Sequence, residues 1–284
     1  MATAAIAPSA ATIASPSHSE RRGRVGSFML NPPSWLTPRI SDPGLYDKIG
    51  AGYPSTRRAD PRIAAAIRKA LGDAASVVNI GAGSGSYEPA ELDVVPVEPS
   101  ETMIRQRPAS LPQALLGTAE NLPLEAKSVD AALAVLAAHH WRDRPAAFAE
   151  IRRVARKRAV FFTHDPEVSF GWLDDYFPGL AGSRYPRLAE FDALGSVTLE
   201  AVPIPADCTD GFTAAYWRRP EAYLDEAVRA NMSTFALLDE RVVAEGVARL
   251  ARDLADRSWH RRHALLLSLP DLDVGYRLVV AELT

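Results

Sequence analysis

The chain is poor in cysteine, lysine and long apolar runs, and each shortage excludes a class of protein. Cys208 is the sole cysteine among 284 residues. No intrachain disulfide can form, a cysteine-built zinc site is ruled out, and nothing points to an oxidising compartment. No stretch reaches the ~18–20 apolar residues that span a bilayer; the longest, such as Val129–Ala138, are too short or interrupted. Lysine occurs only at Lys48, Lys69, Lys127 and Lys157, and no strong basic block accompanies the net charge of −3. Phosphate-driven nucleic-acid binding leaves a basic footprint, so the composition speaks against a DNA or RNA partner. The six histidines are scattered, without metal-ligand spacing to carboxylates.

What remains is an ordinary globular composition, 47% hydrophobic and 24% charged. The expectation is a soluble, cytoplasmic protein with no membrane partner and one enlarged domain. Residues 1–40 stand apart. They are rich in Ala, Ser, Thr and Pro, have no acid before Glu20, and carry the cluster Arg21, Arg22 and Arg24 just after it. This reads as a disordered tail, and the same composition suits an organelle transit peptide.

From about residue 60, strand and helix signals alternate. Pro61 opens a helix with Ile63, Ile67 and Leu71 on one face, and Gly72 ends it. Strands are expected at Ser76–Ile80, Val94–Val97, Ala114–Leu116, Val129–Leu136 and Ala159–Thr163, with a helix from Pro145 to about Val154. Such alternation implies a doubly wound α/β fold, a mostly parallel sheet with helices on both faces. Val197–Val202 reads as a sixth strand, residues 212–268 as mainly helical, and Tyr276–Leu283 as a final strand. The divisions are a tail at 1–40, a core at 41–205, a helical cap at 206–270 and a closing strand within 271–284.

The strongest local feature is Val77-Val78-Asn79-Ile80-Gly81-Ala82-Gly83-Ser84-Gly85, a strand running into a glycine-rich turn. Ligands of doubly wound sheets sit at such a place. No Gly-Lys-Ser/Thr follows, so the turn is not a P-loop, and Ser86 stands where a dinucleotide fingerprint needs its third glycine. The second strand ends in Val97-Glu98-Pro99-Ser100, with Glu98 17 residues beyond Gly81, close to the ~20 expected of a ribose-binding acid.

Residues 44–165 resemble the core of class I S-adenosylmethionine (SAM)-dependent methyltransferases, most of all small-molecule enzymes of the ubiquinone-biosynthesis and trans-aconitate type. The resemblance rests on Asn79–Gly85, Val97–Ser100, Gly117-Thr118-Ala119-Glu120-Asn121-Leu122-Pro123, and Val129-Asp130-Ala131-Ala132 running on to His139-His140-Trp141. It implies a seven-stranded sheet with a helical cap inserted before the last strand, and SAM as cofactor. Gly81, Ala82, Gly83 and Gly85 would hold the methionine portion, with Asn79 beside them. Glu98 and Pro99 would hold the ribose, and Thr118, Ala119 and Glu120 the adenine, with Met103 over its face and Val135 alongside. Tyr53-Pro-Ser-Thr-Arg57 resembles the family's Tyr-x-x-x-Arg segment, which closes over the methionine carboxylate; an exposed helix flank is the other reading of Arg57. The family usually carries an acid where Asn79 stands and Asp where Thr118 stands. Asn still accepts a hydrogen bond, but without charge.

Bases for methyl transfer should lie beyond the fourth and fifth strands, where His140 and His164 are the candidates. The aromatic segment with Phe170, Trp172, Tyr176, Phe177 and Tyr185 suits either an acceptor pocket or a lid core. The resemblance implies a small-molecule acceptor, and a pocket of these residues would suit an aromatic one. A non-methylating protein on the same fold, a cyclase or SAM-binding regulator, is the alternative raised by Asn79 and Thr118. Asn31-Pro32-Pro33-Ser34-Trp35 resembles the Asn-Pro-Pro-aromatic motif of DNA amino-methylating enzymes, but it lies in the tail, away from the fourth strand where Ala137-Ala138-His139-His140-Trp141 stands.

Overall fold

The computed structural model describes residues 57–180 and 184–283; Tyr53, the tail and Asn31–Trp35 lie outside them. The first described helix, α1 (Pro61–Leu71), starts where Pro61 has no N–H to satisfy and Asp60 caps the turn, accepting from Arg62 N at 3.0 Å. Its Ile63, Ile67 and Leu71 are buried, and Gly72, at φ +62°, ends it.

The strands are β1 (Ser76–Ile80), β2 (Asp93–Glu98), β3 (Leu115–Leu116), β4 (Val129–Val135), β5 (Ala155–His164), β6 (Ser196–Ala201), β7 (Ile204–Pro205), β8 (Asp271–Leu272) and β9 (Tyr276–Glu282). Seven form one sheet in the order β3-β2-β1-β4-β5-β9-β6, parallel from β3 to β5, with β9 antiparallel to both neighbours. The short helix α2 (Glu101–Arg105) follows β2, and α3 (Arg144–Val154) precedes β5. Regular strand–helix alternation is not observed. Residues 81–92 and 117–128 run in turns, so two crossovers carry no helix. Three glycines within five residues and Pro89 disfavour a helix after β1. β5 begins four residues before its apolar stretch. Arg156, Lys157 and Arg158 extend it as exposed or half-buried charges, bonded to Asp130, Asp73 and Glu282 respectively.

Period-two alternation sends neighbouring residues to opposite faces. Val77, Ala131, Leu133, Val160 and Phe162 join one core with α1. Val78, Ala132, Ala134 and Phe161 join the other with Phe148 and Ile151 of α3.

Between β6 and β9 the chain leaves the large sheet, and β7 and β8 pair antiparallel across the neck of this excursion. Only one of its helices, Glu240–Ala255, exceeds five residues among the described ones; much of 206–239 is turns and 3-10 segments rather than the mainly helical stretch expected. Its aromatic core is continuous with the α1 face of the sheet. Trp172 donates to the Trp217 carbonyl at 2.8 Å and meets Trp259 and Tyr223 edge-on. Phe177 packs on Phe235. Trp172, Tyr176 and Phe177 are therefore lid core, not pocket wall, whereas Phe170 and Tyr185 reach the strand ends described next.

Candidate active site

At the end of β1 the chain must turn sharply beneath β4. Gly81 takes φ +73°, and a Cβ there would lie 2.7 Å from the Ala137 Cβ, closer than side chains pack. The loop's donors point inward. Gly81 and Ala82 both donate to the Val97 carbonyl at 2.9 and 3.1 Å, and Gly85 donates to Ala82. Gly83 donates to Glu98 Oε2 at 2.8 Å. A phosphate-binding loop needs such N–H groups free and a helix N-terminus behind them. Neither condition holds, so the loop does not fit a nucleotide phosphate.

Glu98 closes β2. Its Oε1 accepts from Ser100 N at 3.0 Å, and each carboxylate oxygen retains lone pairs for a ribose hydroxyl. Burial pushes its carboxyl above the usual range, against the two backbone donors and Arg107, which oppose the rise. Ser100 caps α2 and brings Met103 beneath Gly83; a Cβ on Gly83 would lie 3.5 Å from the Met103 methyl. Pro99 is exposed.

Arg57, Asn79, Gly81, Ala82, Gly83 and Val135 line one narrow cleft with Ser84 and Ser86. Arg57 pairs with buried Asp210, Nε to Oδ1 at 2.7 Å, and Tyr87 donates to the same carboxylate at 2.9 Å. Asp210, from the excursion between β6 and β9, thus orients the arginine at the glycine loop; sequence reading placed Arg57 but not its partner. Asn79 is 2% exposed, and its Oδ1 has no partner among the described residues. A buried acceptor left open in this cleft is what the SAM ammonium would satisfy. With the inward-facing loop and Glu98, the residues fit SAM.

The remaining positions are further apart. Gly85 opens on a broader groove of about 600 Å³ on the α1 side. Ala119 is buried and Thr118 exposed. Glu120 turns away, its Oε1 accepting from Arg142 N at 2.7 Å and Asp143 N at 3.2 Å ahead of α3. These donors hold its carboxylate at the helix start.

At the ends of β4 and β5 lies a group of rings. The His139 ring lies tilted 3.9 Å from His140 and 4.5 Å from Tyr185, centroid to centroid; His164 lies 5.1 Å from Tyr185 and 3.9 Å from Phe170. Burial and the positive charge of Arg184 bring His140 to about 4. Burial likewise brings His164 to about 4, against the Val274 carbonyl bonded to it. His139 is pushed well below its ordinary value by burial, His140, Arg184, Arg57 and His164. The Val274 carbonyl can only accept, so His164 Nε2, 3.0 Å away, carries the proton. Nδ1 is left as a bare lone pair; it is buried and has no partner among the described residues, and the same absence of a partner holds for both His139 nitrogens and Thr163 Oγ1. Arg184 was not chosen from sequence and His139 only as the neighbour of His140, while Tyr185 stood in the aromatic segment that suited a pocket or a lid core; only the fold brings residues 184 and 185 to the tandem histidines.

A family profile described as a methyltransferase domain matches residues 78–163. A solved protein of Anabaena variabilis, described as a candidate methyltransferase from an antibiotic biosynthesis pathway, is 37% identical; the match covers 79% of this chain and 98% of that one, with a TM-score of 0.74. Methyltransferases of Mycobacterium bovis and Mycobacterium tuberculosis, themselves uncharacterized, are each 40% identical over 140 residues, 46% of this chain. The chain spans about half the length of these curated relatives, 53%. A methyltransferase profile across β1–β5 and similarity over nearly all of the Anabaena protein place the site in its family: the chain belongs to the class I SAM-dependent methyltransferases.

Proposed function

We propose that this protein transfers the SAM methyl group to a small-molecule acceptor whose nucleophile is already acidic or electron-rich, such as a phenol or enol. The reading is carried by His164, whose fixed tautomer presents an unpartnered Nδ1 beside Tyr185 at the carboxyl end of β5. SAM supplies an electrophilic methyl held on sulfonium sulfur, so the protein's part is positioning, desolvation and proton removal. With SAM bound, the acceptor oxygen would bond to the methyl carbon, the carbon–sulfur pair would return to sulfur, and the acceptor's proton would pass to His164 Nδ1.

Magnitudes limit the acceptor. A histidine held at about 4 is a weak base. Against an ordinary alcohol, comparable to water at 15.7, the transfer is uphill by roughly 16 kcal/mol. A phenol near 10 cuts this to roughly 8 kcal/mol. The positive charges of Arg184 and Arg57 act on His139, and they favour the oxyanion that forms. The Anabaena relative's place in an antibiotic biosynthesis pathway supports a natural-product acceptor.

The test is S-adenosylhomocysteine release, followed by mass spectrometry, from the protein with SAM and a panel of phenolic and enolic metabolites. With an accepted substrate, His164→Gln should lower kcat about a hundredfold while leaving S-adenosylhomocysteine affinity unchanged. A variant turning over at full rate would remove His164 from the chemistry.

A further inference from the structure

The position at the end of β1 where the resemblance implies an acid holds Asn79, and the acid lies elsewhere. Glu88, in the turn after the glycine loop, places Oε1 3.0 Å from Asn79 Nδ2. Its Oε2 pairs with Arg107 Nη2 at 2.7 Å, and Arg107 Nη1 donates to the Gly83 carbonyl at 3.2 Å. The Glu88 and Arg107 side chains are 2% and 4% exposed, so this is a buried clamp and not a surface pair of small effect.

A carboxylate engaged in an ion pair only accepts hydrogen bonds. Glu88 therefore dictates which end of the Asn79 amide faces it: the NH₂ must point to Glu88 and the oxygen away. That oxygen is the buried, unpartnered Oδ1 in a cleft lined by Gly81 and Gly83. We propose that Glu88 is a positioning residue for the cofactor, locking Asn79 so that its Oδ1 accepts a hydrogen bond from the amino group of the SAM methionine portion, with Arg107 holding Glu88 and the glycine loop together. This rests on the cofactor site described above. The acid has moved one side chain outward, and a neutral amide presents its effect to the ligand.

The arrangement has a counterintuitive consequence. Asn79→Asp, which installs the family's usual acid, would set two carboxylates about 3 Å apart, and like charges at that distance cannot both ionise. The acid at 79 is harmful unless Glu88 is neutralised.

The experiment is calorimetric titration of the full chain with S-adenosylhomocysteine, which carries the amino group, and with 5′-methylthioadenosine, which lacks it. Glu88→Gln should weaken S-adenosylhomocysteine about tenfold and leave 5′-methylthioadenosine unchanged, because a neutral amide in place of the carboxylate lets Asn79 turn over. Asn79→Asp alone should weaken S-adenosylhomocysteine at least as much. The double variant N79D/E88Q, with one carboxylate and one amide exchanged, should return to within about threefold of the unmodified protein. Equal loss of both ligands in Glu88→Gln would show a merely structural clamp and overturn the proposal, as would Asn79→Asp binding S-adenosylhomocysteine as well as the parent. If the unmodified protein bound 5′-methylthioadenosine but not S-adenosylhomocysteine, the amino-group contact would fall while the adenosine site stood. Failure to bind either would overturn the cofactor site itself.

Discussion

The two halves of the cleft are built on opposite principles. On the cofactor side, between β1 and β2, polar groups are paired and Asn79 Oδ1 alone faces the ligand open: loop N–H groups bond Val97 and Glu98, and Glu88 bonds Arg107 and Asn79 Nδ2. On the acceptor side, beyond β4 and β5, polar atoms are buried among rings and left open, at His139, His164 Nδ1 and Thr163. A paired half is rigid before its ligand arrives, whereas open polar atoms are costly to keep dry. The asymmetry fits a cofactor received by a prepared surface and an acceptor whose own groups complete the site.

Acidification should separate the halves most sharply. His140 and His164, at about 4 in the fold against an ordinary 6.5, stay neutral while the unfolded chain takes up protons. The unfolded state then binds more protons, so stability is full above about 6.5 and falls as pH drops towards 4. Between pH 7 and 5 the two together cost on the order of 4 kcal/mol. Glu98 runs the other way. Its raised carboxyl binds a proton in the fold before the unfolded chain does, so acidification towards 4.5 relieves the cofactor side. Urea unfolding at pH 7 and 5 measures the net effect, and a loss under 1 kcal/mol would show the histidine group to be wet.

On the cofactor side the largest mutational effect is expected at Gly81. Gly81→Val puts a branched side chain at φ +73°, against Ala137. The cost should be about 3 kcal/mol in thermal or urea unfolding, with loss of S-adenosylhomocysteine binding. Glu98→Ala comes next. It removes the ribose acceptor and the partner of Gly83 N and Ser100 N. Affinity for S-adenosylhomocysteine should fall about a hundredfold in calorimetry; an unchanged affinity would leave Glu98 as a loop brace.

The cofactor half was legible because its constraints are local. Strand, glycine turn and acid are fixed by residues close together in sequence, and Gly81, Asn79 and Glu98 stand where the spacing put them. Glu120 fails the same logic for a local reason: the N–H groups ahead of α3 claim its carboxylate. The missing helix after β1 was open to inspection in the glycines and Pro89, but the alternation pattern obscured it. The acceptor half depends on long-range contacts. Tyr185 reaches His139 across 46 residues, as on the cofactor side Asp210 reaches Arg57 across 153, and no periodicity encodes such pairs. The aromatic run at 170–177 read equally as pocket or core, since burial against Trp217 and Trp259 is decided by how the excursion folds back.

Gly275 gives the smallest and most selective test of the division. It sits at φ +91°, and an added Cβ would lie 2.6 Å from His164 Nε2 and 2.9 Å from the Val168 Cβ. Its carbonyl holds Asp165 N, next to His164, at 2.8 Å. Gly275→Ala therefore presses on the histidine that the neighbouring Val274 carbonyl orients, without touching the glycine loop. The ring must tilt, and its Nδ1 moves relative to Tyr185. A misplacement of this kind should lower kcat about tenfold with S-adenosylhomocysteine affinity unchanged. If affinity fell in step with kcat, the two halves would be one coupled unit, and the separation between a prepared cofactor side and an open acceptor side would not hold.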